Sequence, residues 1–345
     1  MKRQPSLRVL GLLGLLLIGA AADAATTGQQ MAEAAGRGLV GSPAPRLIVK
    51  TVDGDTIDLG NLYGKKAVYL KFWATWCVPC REQMPHFQHT YETAGPDLAV
   101  IAINAGFNDS LEEILKYRKR FGITMPIVFD EDGRLGAAFN LRVTPQHIVI
   151  GRDGRIEYVG HLADKRLDAA LLAARAPAGE EQSGGALGEQ AAVAARHFSV
   201  GEQLPESTVR TLDGHAFQFQ RHGLTGPTVF VFMSPWCESY LATTRPAVSA
   251  NCRTAREQVT ALSHDHRVRW LGVASGLWAT PEDLQEYRTK YRIGIPLTLD
   301  ASGTLFREFG VSNTPTIIVA DAHGSIVRRV ESGDAGTLRQ ALRGL

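Results

Sequence analysis

Phe72-Trp73-Ala74-Thr75-Trp76-Cys77-Val78-Pro79-Cys80 is the stretch on which the reading of the chain turns. Two cysteines separated by two residues can exchange between dithiol and disulfide, provided the first is exposed and largely thiolate. A helix starting at Cys77 would meet both conditions, because the free N–H groups and dipole of a first turn stabilise an anion. The thiol pKa then falls from about 8.5 into a range of roughly 3.5 to 7.5. The second cysteine, deeper in that turn, would attack a mixed disulfide and release the product. The competing reading is half of a structural zinc site, which needs two more Cys or His at ligand spacing. Cys237 and Cys252 are not so spaced, and His86 and His89 read as a solvated helix face.

The segments around this motif alternate between strand and helix. Residues 67–73 form a nearly continuous β-branched and aromatic run, and residues 98–103 form another; both suit buried strands. Ser110-Leu111-Glu112-Glu113 carries the spacing of a helix-capping box. Residues 127–129, 146–150 and 156–158 are further strands, with Asp53-Gly54 and Asp153-Gly154 as turns, and residues 162–174 make a closing amphipathic helix. Such alternation predicts an α/β domain with a central mixed sheet flanked by helices.

The chain then repeats itself. Val40-Gly41-Ser42-Pro43-Ala44-Pro45 returns as Val200-Gly201-Glu202-Gln203-Leu204-Pro205, Val52-Asp53-Gly54 as Leu212-Asp213-Gly214, and Trp76-Cys77 as Trp236-Cys237. Val143-Thr144-Pro145 matches Asn313-Thr314-Pro315 at an offset about ten residues larger, which implies an insertion in the second copy. The chain of 345 residues has room for two domains. A net charge of +2 gives no reason to expect nucleic acid. Lys2, Arg3 and Arg8 precede a short apolar run that ends in Ala22-Asp23-Ala24, the pattern of a secretory signal cleaved after Ala24. The expected organisation is a signal peptide over 1–24, disorder over 25–38, a domain over 39–175, a flexible linker over 176–196 and a second domain over 197–345. The expected location is the periplasm, with a membrane anchor as the lesser alternative.

The second copy departs where the chemistry lies. In Ser234-Pro235-Trp236-Cys237-Glu238-Ser239-Tyr240, Tyr240 replaces the second cysteine, so the copy cannot cycle by a two-cysteine mechanism. On one straight helix Cys237 and Cys252 would stand roughly 22 Å apart, far beyond the ~7 Å reach of a disulfide. A bridge requires Pro246 to break the helix and the inserted residues to fold back. The alternatives are a free buried thiol, Cys237 as a single-cysteine partner, or a copper or zinc site with His264 and His266. Ser234, three residues before Cys237, leaves a weak opening for peroxide reduction.

Phe-Trp-Ala-Thr-Trp-Cys-x-Pro-Cys, followed by Met84-Pro85 and Val143-Thr144-Pro145, resembles the TlpA/ResA-like family of extracytoplasmic thioredoxin-fold proteins. The resemblance spans residues 41–174 and implies two thioredoxin-like domains, the second degenerate. It implies Cys77 as nucleophile, Cys80 as resolving cysteine, Pro85 as a kink in the active-site helix, and Pro145 as a cis-proline facing the disulfide. Trp76 and Thr144 would bind substrate, the backbone of Thr144 receiving a client strand. Cys237, Cys252 and Pro315 would mark a second-domain site. The implied partners are exported proteins bearing disulfides and a membrane-bound thiol reductase that supplies electrons; no cofactor or metal is called for. A rival function is client binding or copper delivery through the second domain. Two positions depart from the family pattern: Gln83 stands where members often carry Glu, and Lys71 stands where thioredoxins bury an Asp. Near the thiols, Lys71 would favour the thiolate; snorkelling to solvent, it would not touch them. Snorkelling is the expectation.

Overall fold

The computed structural model describes residues 27–176, 197–219, 226–331 and 337–342. The expected signal segment, and all but the first residue of the expected linker, lie outside the described residues. The first half runs α1 (residues 27–36), β1 (Ile48–Lys50), β2 (Thr56–Asp58), α2 (Leu59–Leu62), β3 (Ala67–Trp73), α3 (Val78–Glu82), α4 (Met84–Glu92), β4 (Leu98–Asn104), α5 (Leu111–Phe121), β5 (Ile127–Phe129), α6 (Arg134–Ala138), β6 (Gln146–Ile150), β7 (Ile156–Gly160) and α7 (Lys165–Ala173). The second runs β8 (Thr208–Arg210), β9 (Ala216–Gln218), β10 (Thr228–Met233), α8 (Cys237–Thr244), α9 (Pro246–Leu262), β11 (Arg269–Ser275), α10 (Pro281–Tyr291), β12 (Leu297–Asp300), α11 (Thr304–Glu308), β13 (Thr316–Ala320), β14 (Ile326–Glu331) and α12 (Thr337–Ala341).

Each half is built on a five-stranded mixed sheet of the same order, β5-β4-β3-β6-β7 in the first and β12-β11-β10-β13-β14 in the second. The central strand pairs parallel with its neighbour on one side, β4 or β11, and antiparallel with its neighbour on the other, β6 or β13. β3 is buried at every residue because both faces of the sheet are covered, which is why it reads as an unbroken apolar run. Alternate side chains divide between the faces. Val68, Leu70 and Phe72 pack with Ile101, Ile103 and Ile148, while Tyr69 and Trp73 lie in the cluster that holds Cys77, Cys80 and Phe87.

Two expectations are corrected here. Residues 27–36, expected to be disordered, form a helix that docks on the first sheet. Gln29 accepts from the backbone N–H groups of His161 and Leu162, at 2.9 and 3.2 Å, and Ala32 and Ala35 are buried. The segment holds through small side chains and a polar clamp, neither of which gives a hydrophobic stripe in the sequence. The second correction concerns the straight-helix geometry over residues 237–252. Pro246 occupies the first turn of α9, and Arg245 leaves helical backbone geometry (φ −142°, ψ 64°). The chain folds back there, bringing the Cα atoms of Cys237 and Cys252 to 6.2 Å in a disulfide. Of the alternatives left open by the sequence, the bridge is the one observed.

That bridge closes a loop of 15 residues between two helices of the second half. Cys252→Ala is expected to lower stability by about 2–4 kcal/mol, measured as a lower urea midpoint; an unchanged midpoint would mean the helix pair holds without its covalent link.

Candidate functional site

β3 delivers the chain to the cysteines. Cys77 is the N-cap of α3 rather than its first residue, and Pro79 sits within the first turn, where its missing N–H costs nothing. Cys77 and Cys80 form a disulfide with Cα atoms 5.2 Å apart. The Cys80 N–H donates to Cys77 Sγ at 3.2 Å. Gln83 ends α3 and begins α4, and Pro85 lies in the first turn of α4. The helix that follows the cysteines is therefore broken there, where the resemblance implies a kink. The Thr144–Pro145 bond is cis, and Cys77 Sγ lies 3.3 Å from the Thr144 carbonyl oxygen. Trp76 is anchored by its indole N–H, which donates to the Phe107 carbonyl at 2.7 Å. The sequence-derived residues Trp76, Cys77, Cys80, Thr144 and Pro145 are thus brought together.

Lys71 overturns its expectation. It does not snorkel: its side chain is 0 % exposed, and Nζ has no hydrogen-bond partner among the described residues. It shares the face of β3 that carries Tyr69 and Trp73, with Nζ 5.2 Å from the centre of the Phe87 ring. Helices α3 and α4 roof this face of the sheet, so a four-carbon stem finds no route to water. Burial pushes its pKa down to about 7. Opposite it on β6 stands His147, which sequence reasoning passed over. Burial, and then the nearby charge of Lys71, hold the His147 pKa well below its ordinary value. The neutral ring accepts from the Tyr69 hydroxyl at Nδ1 (2.8 Å) and donates from Nε2 to Gln83 Oε1 (2.8 Å). Gln83 Nε2 donates to the His161 carbonyl at 3.2 Å, and His161 Nδ1 donates to the Pro145 carbonyl at 2.7 Å. Gln83 thus ties the helix break to the cis-proline loop. The available signal was the polar pair Gln146-His147 at the head of a strand that is apolar from Ile148 onward.

The second half repeats this geometry with different chemistry. Thr314–Pro315 is also cis. Cys252 Sγ lies 3.7 Å from the Thr314 carbonyl oxygen, although Cys237 is the cysteine that aligns with Cys77. The Trp236 indole N–H donates to the Leu277 carbonyl at 2.7 Å, just as Trp76 does to Phe107. Both second-half sulfurs are in the disulfide, so Cys237 offers no thiolate for a metal in this state.

The two cis-proline faces meet. Trp76 and Trp236 have ring centres 5.1 Å apart, with Tyr240 edge-on to both. The Val78 N–H, inside the two-cysteine motif, donates to the Tyr240 hydroxyl oxygen at 3.0 Å. Arg245 reaches Asp109 at 3.0 Å and also pairs with Glu113 and Thr75. With this cover in place, Cys77 is 1 % exposed and Cys80 0 %.

Residues 40–159 match the AhpC/TSA family. Thioredoxin-like protein YneN of Bacillus subtilis is 32% identical over 134 residues, which are 38% of this chain and 78% of that protein. Thiol-disulfide oxidoreductase ResA of Geobacillus kaustophilus is 31% identical over 121 residues, 35% of this chain and 68% of that protein. The chain belongs to the ResA-like thioredoxin family. With ResA of Bacillus subtilis the match is 30% over 117 residues, 34% of this chain, and spans 64% of that relative's length. In this ResA-like chain a second copy of the fold is laid over the cysteine motif.

Lys71 has a measurable stability signature. An amine with a folded pKa of about 7 and an unfolded value of 10.5 is neutral in the fold between those limits. Its burial cost is therefore full below pH 7 and fades as pH rises to 10.5. Lys71→Met is expected to be more stable than the natural protein. The gain should be largest and flat below pH 7, then fall by about 1.4 kcal/mol per pH unit above it. Urea unfolding between pH 6 and 10 checks this; a pH-independent difference would show that Lys71 stays charged in the fold.

Proposed function

We propose that this chain is an exported thiol–disulfide oxidoreductase that reduces disulfides in client proteins. Two thioredoxin-like domains, over 39–175 and 197–345, carry it, and the first holds the chemistry. The observation that supports this most is the Cys77–Cys80 pair at a helix start, with Cys77 Sγ 3.3 Å from the carbonyl that precedes cis-Pro145. A client chain laid along that loop would present its disulfide to Cys77.

In the reductive half-cycle the Cys77 thiolate attacks one client sulfur. The client S–S bond breaks, and the other client sulfur leaves as a thiolate that takes up a proton. Cys80, deprotonated, then attacks Cys77 Sγ, expelling the second client thiolate and forming the Cys77–Cys80 disulfide. Two electrons pass to the client. The Cys80 N–H, which donates to Cys77 Sγ in the oxidised state, is placed to stabilise the attacking thiolate. Two electrons from an external dithiol, the role proposed for a membrane-bound reductase, return the pair to the dithiol. Export is proposed from the basic, apolar and small-residue pattern of residues 2–24.

Cys80→Ser should accumulate a mixed disulfide between Cys77 and a protein client, visible by mass, whereas Cys77→Ser should form none and lose insulin reduction. Absence of any Cys77 adduct would remove the assignment. Equilibration with dithiothreitol should give a potential near about −270 mV; a value near about −120 mV would make the chain an oxidant instead.

A further inference from the structure

The contact between the two halves is reciprocal. In the first half Asn108, in the left-handed region at φ 51°, lies in the loop between β4 and α5. Its counterpart between β11 and α10 is Trp278, at φ 55°. The Asn108 N–H donates to the Ser312 carbonyl at 2.9 Å, and the Trp278 N–H donates to the Arg142 carbonyl at 2.8 Å. Ser312 and Arg142 each stand three residues before a cis-proline. The side chains continue the exchange: Asn108 Oδ1 accepts from the Thr314 N–H at 2.8 Å, and the Trp278 indole N–H donates to Thr144 Oγ1 at 3.2 Å. Each half thus offers a loop to the other's cis-proline face, the pseudo-twofold equivalent of a self-complementary dimer contact.

Trp278 hydrogen-bonds to Thr144 on the residue whose carbonyl lies beside Cys77 Sγ, and Tyr240 takes the Val78 N–H within the cysteine motif. These are the groups a client segment would have to engage. We infer that the second half acts as a built-in competitor: it occupies the client-binding face of the first, and the Cys77–Cys80 pair reacts only when the two faces part. This rests on the function proposed above and adds a regulatory step to it. The centre of the contact is aromatic, through Trp76, Trp236 and Phe107, while its edges are hydrogen bonds and the Arg245 ion pairs. Contacts of this mixed kind between domains of one chain normally allow relative motion. Arg245 is the place to loosen it, because its guanidinium lies between Asp109 and Glu113 on the other half and does not touch the sulfurs.

The test compares the oxidised full-length protein with Arg245→Glu, which sets a third carboxylate against Asp109 and Glu113. Its partner variant is Asn108→Gly, which keeps the left-handed backbone and removes only the side-chain amide from Thr314. The readout is the rate at which dithiothreitol reduces Cys77–Cys80, followed by thiol trapping and peptide mass. Arg245→Glu should be reduced at least tenfold faster than the natural protein, and Asn108→Gly severalfold faster. If Arg245→Glu fails to fold, Asn108→Gly carries the comparison from the other half. Equal rates in the natural protein and in the folded variants would overturn the inference. Insulin reduction separates this from the parent reading. Faster opening with no insulin turnover would keep the cover and remove the proposed chemistry; equal opening with turnover would do the reverse.

Discussion

Two loop residues with positive φ, Asn108 and Trp278, hold the halves of this protein face to face, and the packing over the cysteine motif is built around that contact. Where these loops reach across to the cis-proline faces, Trp76 packs against Trp236, Tyr240 lies on the cysteine motif and Arg245 on Asp109. Asp109 already receives the Thr75 N–H at 2.8 Å and the Asn104 side-chain amide at 2.7 Å. Burial still raises its pKa, with Thr75, Asn104 and Arg245 acting against that rise. The charge that links the halves is therefore also hydrogen-bonded to the end of β4, so the contact between the halves is continuous with the internal network of the first.

The buried polar groups beneath the cysteines are solved in two different ways. His147 is neutral and satisfied at both ring nitrogens, which suits an imidazole enclosed by apolar walls. Lys71 has no acceptor among the described residues and meets burial by releasing its proton more readily, its pKa falling to about 7. The same desolvation acts on both, but among the described residues the histidine has partners and the lysine does not. The chain Tyr69, His147, Gln83, His161 and Pro145 runs from the central strand to the cis-proline loop. The two sides of the site are therefore held in register by hydrogen bonds as well as by packing.

Much of the fold could be read in the sequence, because it is set locally. Residues 67–73 form the expected strand to the residue, Ser110 caps α5 by accepting the Glu113 N–H, and the motif residues converge with Pro145 as the resemblance implied. What stayed hidden depends on neighbours distant in sequence. Lys71 was free to snorkel until α3 and α4 roofed its strand face. Residues 27–36 have no hydrophobic stripe, and their helix exists through Gln29 and small side chains that matter only against β7 and the loop after it. Cys237 and Cys252 were out of reach on a straight helix and in reach once Pro246 turned the chain. The facing of the halves had no single-residue signal at all: Asn108 and Trp278 align as loop positions but share neither size nor polarity.

Joining both faces in one polypeptide changes the competition a client meets. Binding modules on a common chain can encounter each other at effective concentrations on the order of millimolar. Against such an internal ligand, a client present at micromolar levels gains entry only through tighter binding or by being held nearby itself. The fused second copy would then act as an affinity threshold, sparing weakly bound disulfides while leaving the thiol chemistry of Cys77 and Cys80 unaltered.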